Sequence, residues 1–310
     1  MVLRQALIKV AQSDAVQRAA TATPLARDVV RRYIAGERTG DAVRVAGELA
    51  GAGLRCTLNY LGEAVTEPEQ AAAMVDNYRR LIAGLQEADL MDRAEISIKL
   101  SSLGLSLPGD DSYAAALGSA RQLCEVVAGV GMQLTIDMED HSTTDQTLQI
   151  VQTLRADYPW VGVALQAELK RTQSDCRDLS RVDSRVRLCK GAYGPSEQAY
   201  GNRQEIDLAY VRCLKILMAG KGYPMLATHD PRLIEIATAV AVRSGRERGS
   251  YEFQMLYGIR PEEQKRLATI GERVRVYVPY GTHWYPWVMR RMAEKPSNML
   301  LFAKSLVSAA

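Results

Sequence analysis

Eight short apolar, β-branched runs recur along the chain and alternate with longer segments of helical periodicity, the pattern of βαβ units laid around a parallel sheet. They cover residues 53–61, 94–101, 132–138, 161–166, 186–190, 225–228, 251–256 and 274–278. A candidate helix follows each run. Thr66 before Glu67-Pro68 and Ser142 before Thr143 can cap orphan amide groups, and Leu208, Val211, Leu214, Leu217 and Met218 form an apolar stripe.

Eight strand–helix pairs point to an α/β fold of the closed (βα)8 TIM-barrel type. An open doubly wound sheet is the competitor. Nucleotide-binding versions of that sheet usually carry G-x-G-x-x-G after the first strand, and here the first strand ends Asn59-Tyr60-Leu61-Gly62. Residues before about Arg38 stand outside the alternation. Thr23-Pro24 reads as an N-cap and first helical position, so two short N-terminal helices are expected over residues 1–37, ahead of a barrel domain over 38–310. The arm is richer in Arg than in acids, as transit peptides are, but Asp14 and Asp28 favour a packing arm.

A chain of 310 residues, 47% hydrophobic, can bury the large core that a barrel needs. Lys+Arg 39 against Asp+Glu 36, with no long single-sign block, argues against nucleic acid as a partner. Five cysteines without a C-x-x-C pair argue against a disulfide framework or a zinc site and favour a reducing compartment. No window approaches the roughly 18 apolar residues of a membrane span, and Arg4, Gln5 and Lys9 interrupt any signal-peptide core. The expectation is a soluble or peripheral protein.

In barrels of this kind the site lies at the C-terminal ends of the strands. Those ends are polar: Ser97-Ile98-Lys99, Ile136-Asp137-Met138, Leu165-Gln166, Lys190-Gly191-Ala192-Tyr193, Ala227-Thr228-His229, then Gln254 and Leu256, then Tyr277. A lysine inside an apolar run must lie in a site or pair with a carboxylate, because an unpaired buried ammonium is costly. Lys99 and Asp137 come from adjacent strands and fit either a structural ion pair or a site. Gln166 fits a structural hydrogen bond or a ligand contact. Glu139-Asp140-His141 suggests metal ligands, but consecutive residues on an extended segment diverge, which favours a solvated loop. Lys190 could form a Schiff base by analogy with barrel aldolases. Arg290 and Arg291 are either surface charge or an anion clamp, since neighbouring helical side chains point about 100° apart, and Glu294 could pair with Arg290.

Taken together, the motifs Arg187-Leu188-Cys189-Lys190-Gly191-Ala192-Tyr193, Ala227-Thr228-His229, Tyr251-Glu252-Phe253-Gln254-Met255-Leu256-Tyr257-Gly258, and Tyr277 with Arg290-Arg291 resemble those of the proline dehydrogenases, from about Arg44 to Phe302. The resemblance implies non-covalent FAD at the strand C-termini, with Asp137, Met138, Gln166, Arg187, Cys189, Lys190, Gly191, Ala192, Thr228, His229, Gln254 and Glu294 near it. Asp230 stands after His229, where many relatives carry Asn. The resemblance also implies an L-proline pocket of Lys99, Asp137, Tyr193, Leu256, Tyr277, Arg290 and Arg291, with Lys99, Asp137, Tyr193 and Arg187 serving catalysis. The implied reaction is oxidation of proline to 1-pyrroline-5-carboxylate by hydride transfer from C5 to flavin N5, the first step of proline catabolism. Electrons would pass to a quinone, which places the protein in the cytoplasm, in peripheral contact with the inner membrane.

Overall fold

Alternation within the strands decides what each face of the sheet meets. In Glu95-Ile96-Ser97-Ile98 and Arg185-Val186-Arg187-Leu188 the apolar positions are fully or almost fully buried, and so are the polar ones. One face packs on helices; the other fills the inside of a barrel.

The computed structural model describes residues 32–62, 65–191 and 196–293, with side chains of the last helix to residue 288. Eight parallel strands close in chain order: β1 (Arg55–Tyr60), β2 (Ala94–Ile98), β3 (Gln133–Ile136), β4 (Gly162–Gln166), β5 (Arg185–Cys189), β6 (Tyr223–Ala227), β7 (Glu252–Leu256) and β8 (Val274–Tyr280). The seam is the register of β1 on β8, from Arg55↔Arg275 to Tyr60↔Tyr280. Helix α1 (Thr39–Gly51) precedes β1. The others follow one strand each: α2 (Pro68–Glu87), α3 (Ser112–Gly129), α4 (Thr144–Arg155), α5 (Thr172–Ser180), α6 (Arg203–Ala219), α7 (Pro231–Arg243), α8 (Pro261–Thr269) and α9 (Trp284–Ala293).

All eight apolar runs coincide with strands, so the closed barrel replaces the open sheet. The caps differ in detail. Helix α2 is capped one residue later than Thr66, by a box between Glu67 and Gln70, because Gln70 Oε1 accepts from the backbone N–H groups of both Thr66 and Glu67. Ser142 lies inside a short 3₁₀ turn, Ser142 N–H donating to Asp140, and α4 starts two residues later. On α6 the buried face is Ala209, Tyr210, Cys213, Leu214, Leu217 and Met218, while Leu208 is half exposed. The stripe expected from the sequence was rotated by about one residue. Of the expected N-terminal arm, residues 1–31 lie outside the described residues. The described part enters along β8: Ala35 N–H donates to Pro279 O, and Gly281 N–H donates to Gly36 O, both at 2.9 Å.

The core between sheet and helices is aliphatic and aromatic. Ile96, Ile98, Leu134, Ile136, Val163, Leu188, Val276 and Val278 meet helix residues such as Tyr78, Leu81, Leu123, Val127 and Ile150, all in one continuous cluster. Each fully buried side chain of this kind contributes about 1.5 to 3 kcal/mol.

Candidate active site

The inside of the barrel departs from the branched apolar layers usual in this fold. Glu95, Arg185, Glu252 and Arg275 form a buried ionic floor. Arg185 meets Glu95 at 2.7 Å, and Arg275 Nε donates to Glu252 at 2.7 Å. Thr57 and Thr135 also donate to Glu95, Tyr223 donates to Glu252, and Arg275 caps the carbonyl of Cys56. Burial resists ionisation of both glutamates, but the facing arginines outweigh it and hold both carboxyls below their ordinary value.

One step further along the same strands lie the residues of the C-terminal mouth. Arg187, 3% exposed, is the hub. It donates through Nη1 to Asp137 at 2.6 Å and Ser97 at 2.9 Å, through Nε to Gln254 at 2.6 Å, and through Nη2 to Glu95 of the floor at 3.3 Å. Its guanidinium lies 5.3 Å from the centroid of the Tyr277 ring. Asp137 also accepts from Ser97 Oγ, Tyr277 OH at 2.7 Å and Lys99 Nζ at 3.0 Å. Asn59, at the end of β1, accepts from Lys99 at 2.9 Å. Burial opposes the charge on Asp137, yet Lys99, Arg187 and these hydrogen bonds hold its carboxyl below the usual range. From floor to mouth, four cations face three carboxylates, which leaves one net positive charge at the barrel axis.

Around this centre stand the remaining strand-end residues. Gln166, buried, donates to the carbonyl of Glu139. Thr228 accepts from Asp230 N–H. His229 Nε2 accepts from Leu256 N–H at 2.8 Å, so the ring carries its proton on Nδ1. Met138 is buried and Cys189 half-buried. Gly191 has φ +125°, and a side chain there would begin 2.0 Å from Glu168 Cδ. The turn after β5 therefore requires glycine. Lys190 is held by Asp207 at 2.5 Å and Asp230 at 3.2 Å, with Arg232 joined to both acids. An amine tied to two carboxylates is a poor Schiff-base nucleophile.

The sequence foresaw Lys99, Asp137, Arg187, Gln254 and Tyr277, which the structure brings into one network. It did not foresee Asn59, Asp207 or the floor of Glu95, Arg185, Glu252 and Arg275. The signal for the floor was present as charges at period two, in phase with Ser97, Arg187, Gln254 and Tyr277. Leu256 stands beside His229 at the rim. Arg290 and Arg291 fall on α9, but their side chains, with Ala192, Tyr193 and Glu294, lie outside the described residues. Of Glu139-Asp140-His141, Glu139 accepts from Ser101 through both oxygens, while Asp140 caps the turn and lies 3.3 Å from His141 Nδ1. No group of three metal-ligating side chains occurs among the described residues.

Fold and site together define a (βα)8-barrel enzyme with a charged mouth. The family description "Proline dehydrogenase" matches residues 42–301, and the chain belongs to that family. It is an oxidoreductase, and its family implies proline as substrate and a flavin as cofactor. It is 36% identical over 278 residues to proline dehydrogenase 1 of Bacillus subtilis (89% of this chain, 90% of the relative). It is 33% identical over 309 residues to proline dehydrogenase of Deinococcus radiodurans (98% and 97%). Among solved structures, proline utilization A from Bdellovibrio bacteriovorus superposes with TM-score 0.79 at 23% identity, over 86% of this chain. That match supports the barrel; this chain spans 32% of the longer protein. No described helix is long and apolar enough to cross a membrane.

Proposed function

We propose that the chain oxidises L-proline to 1-pyrroline-5-carboxylate at the C-terminal mouth of the barrel, with FAD as the flavin. The observation that carries this reading is the Lys99–Asp137–Tyr277–Arg187 network, a fixed, partly desolvated array that together with the floor beneath it carries one net positive charge. The donor set fits a flavin: a buried guanidinium at the centre, polar Gln166, Thr228 and His229 at the rim, and a glycine turn at Gly191 that lets backbone approach a ligand closely. Met138, Cys189, Lys190, Ala192, Gln254 and Glu294 complete the proposed cofactor set.

Flavin N5, when bound, supplies the acceptor for the hydride that leaves proline C5. Arg187 holds a cation where reduction adds negative charge, and Asp137 and Gln254 fix its guanidinium in advance, so little reorganisation accompanies the reaction. Lys99, oriented by Asn59 and Asp137, borders the substrate space together with Tyr277. Leu256 and Tyr193 wall the proline ring. Arg290 and Arg291 bind its carboxylate, which fixes the distance and angle at C5. A quinone would be the acceptor that reoxidises the flavin, which would keep the protein in the cytoplasm in peripheral contact with the inner membrane.

The test is the visible spectrum of the flavin-loaded protein before and after anaerobic proline. Bleaching of the flavin band is expected, and a soluble quinone analogue should restore it. No bleaching by proline removes the substrate assignment. Rapid recovery with oxygen but none with the quinone analogue removes the acceptor assignment alone.

A further inference from the structure

At the opposite end of the barrel, below the ionic floor, the loops entering β1, β2, β7 and β8 line an open depression of about 310 Å³ bordered by Gly53, Arg55, Arg93, Arg248, Gly249, Gly271, Glu272, Arg273 and Val274. Four of these nine residues are arginines and one is acidic. We propose that this N-terminal mouth is an anion site for a compact oxyanion, either free phosphate or the phosphate group of a small metabolite.

Three observations carry the proposal. First, two of the guanidinium groups lie against glycine turns. Gly249 and Gly271 have φ of +84° and +88°; Arg273 lies over Gly249 and Arg248 over Gly271, so that a Cβ would come to 3.1 Å and 2.9 Å of the respective guanidinium nitrogens. The positive φ favours glycine at both positions, and the guanidinium groups pack against these turns. Second, their charge is poorly balanced among the described residues. Arg55 donates to the carbonyl of Asp92 and Arg273 to the hydroxyl of Tyr223, neither of which is an anion. Arg93 reaches Asp92 at 3.1 Å, while Arg248 is 3.9 Å from Glu272, a carboxylate that also faces Tyr251. Third, burial, then the charges of Arg275 in the floor and Arg273 in the depression, push the Arg55 guanidinium below its ordinary value against the opposing effect of Glu252. A bound dianion relieves this repulsion, and planar guanidinium groups bind phosphate oxygens in pairs. The depression shares no residue with the mouth that faces the proposed proline site.

Calorimetric titration of the flavin-loaded protein with inorganic phosphate, at ionic strength matched with chloride, tests the assignment. One saturable site per chain is expected, weakened at least about tenfold by Arg248→Ala and by Arg93→Ala, as loss of a charge-assisted contact predicts. Both arginines are about half exposed or more, so the variants should fold, with melting temperatures in chloride like the parent's and unchanged proline kinetics. Phenyl phosphate distinguishes the two sources: tighter binding than phosphate points to an organic phosphate, equal or weaker binding to the free ion, and either upholds the site. Absence of a saturable site in the parent overturns the proposal. So does parent-like affinity in both variants, which would put the anion elsewhere.

Discussion

At the scale of single residues, Tyr277 shows how a side chain can serve two purposes. Its hydroxyl donates to Asp137 and meets Lys99, while its ring lies under Arg187. In the proposed pocket this bulky ring, in the middle of β8, would occupy the volume that a 4-hydroxyl on proline needs. Tyr277→Ser should therefore raise activity on 4-hydroxyproline relative to proline, and a preference ratio equal to the parent's would place Tyr277 outside the substrate pocket. Absolute rates should fall for both substrates, because Asp137 loses a hydrogen bond worth about 1.5 to 3 kcal/mol for a charged acceptor. Arg290 and Arg291 allow a sharper test. A bidentate arginine combines charge with geometry, whereas lysine keeps only the charge. Arg290→Lys or Arg291→Lys should raise the KM for proline strongly with flavin content unchanged, and removing either group altogether should cost about 2 to 5 kcal/mol if the pair is desolvated. Kinetics like the parent's would return both to surface charge; lost flavin would assign them to the cofactor.

At the scale of elements, Gly191 sets the turn at the end of β5, beside the proposed cofactor site. Its φ of +125° and its contact with Glu168 exclude a Cβ. Gly191→Ala should lower flavin occupancy and cost more than about 1 kcal/mol of stability, read by bound flavin per chain and by urea unfolding; full occupancy with parent stability would contradict this account. The strands themselves were legible because a parallel sheet buried on both faces leaves continuous runs of buried residues, which stand out from amphipathic helices. Helix starts were less legible. Several residues near a terminus can cap, and one side chain can serve two of them, as Gln70 accepts from both Thr66 and Glu67 while the helix starts after Glu67. The mouth was legible at Lys99, Asp137 and Tyr277 because polar residues at strand ends have few structural reasons to be there. The floor was not, since Glu95, Arg185, Glu252 and Arg275 stand far apart in sequence and acquire meaning only when the barrel closes and makes β1 a neighbour of β8.

At the scale of the whole molecule, that floor ties folding to pH. Glu95 and Glu252 are fully buried and Asp137 is partly buried, and all three are held below their ordinary values by the arginines and Lys99 after burial has been overcome. In the unfolded chain the same groups titrate near about 4. As pH falls, the unfolded state takes up protons first, so stability contributed by these groups is complete above about pH 5 and is lost progressively toward their lower folded values. Urea unfolding from pH 7 down to pH 3 should show a plateau followed by a decline. Surface carboxylates also contribute to such a decline, and Glu95→Gln separates them from the floor. The variant keeps the shape but leaves Arg185, Arg187 and Arg275 short of one negative charge, so at pH 7 it should be less stable by about 3 to 5 kcal/mol, the cost of breaking a buried pair from one side. Because the parent's Glu95 loses its advantage in acid while glutamine has none to lose, the gap between the two should narrow as pH drops below about 4. A gap that stays constant with pH would mean that Glu95 contributes through packing and neutral hydrogen bonds, not through its charge.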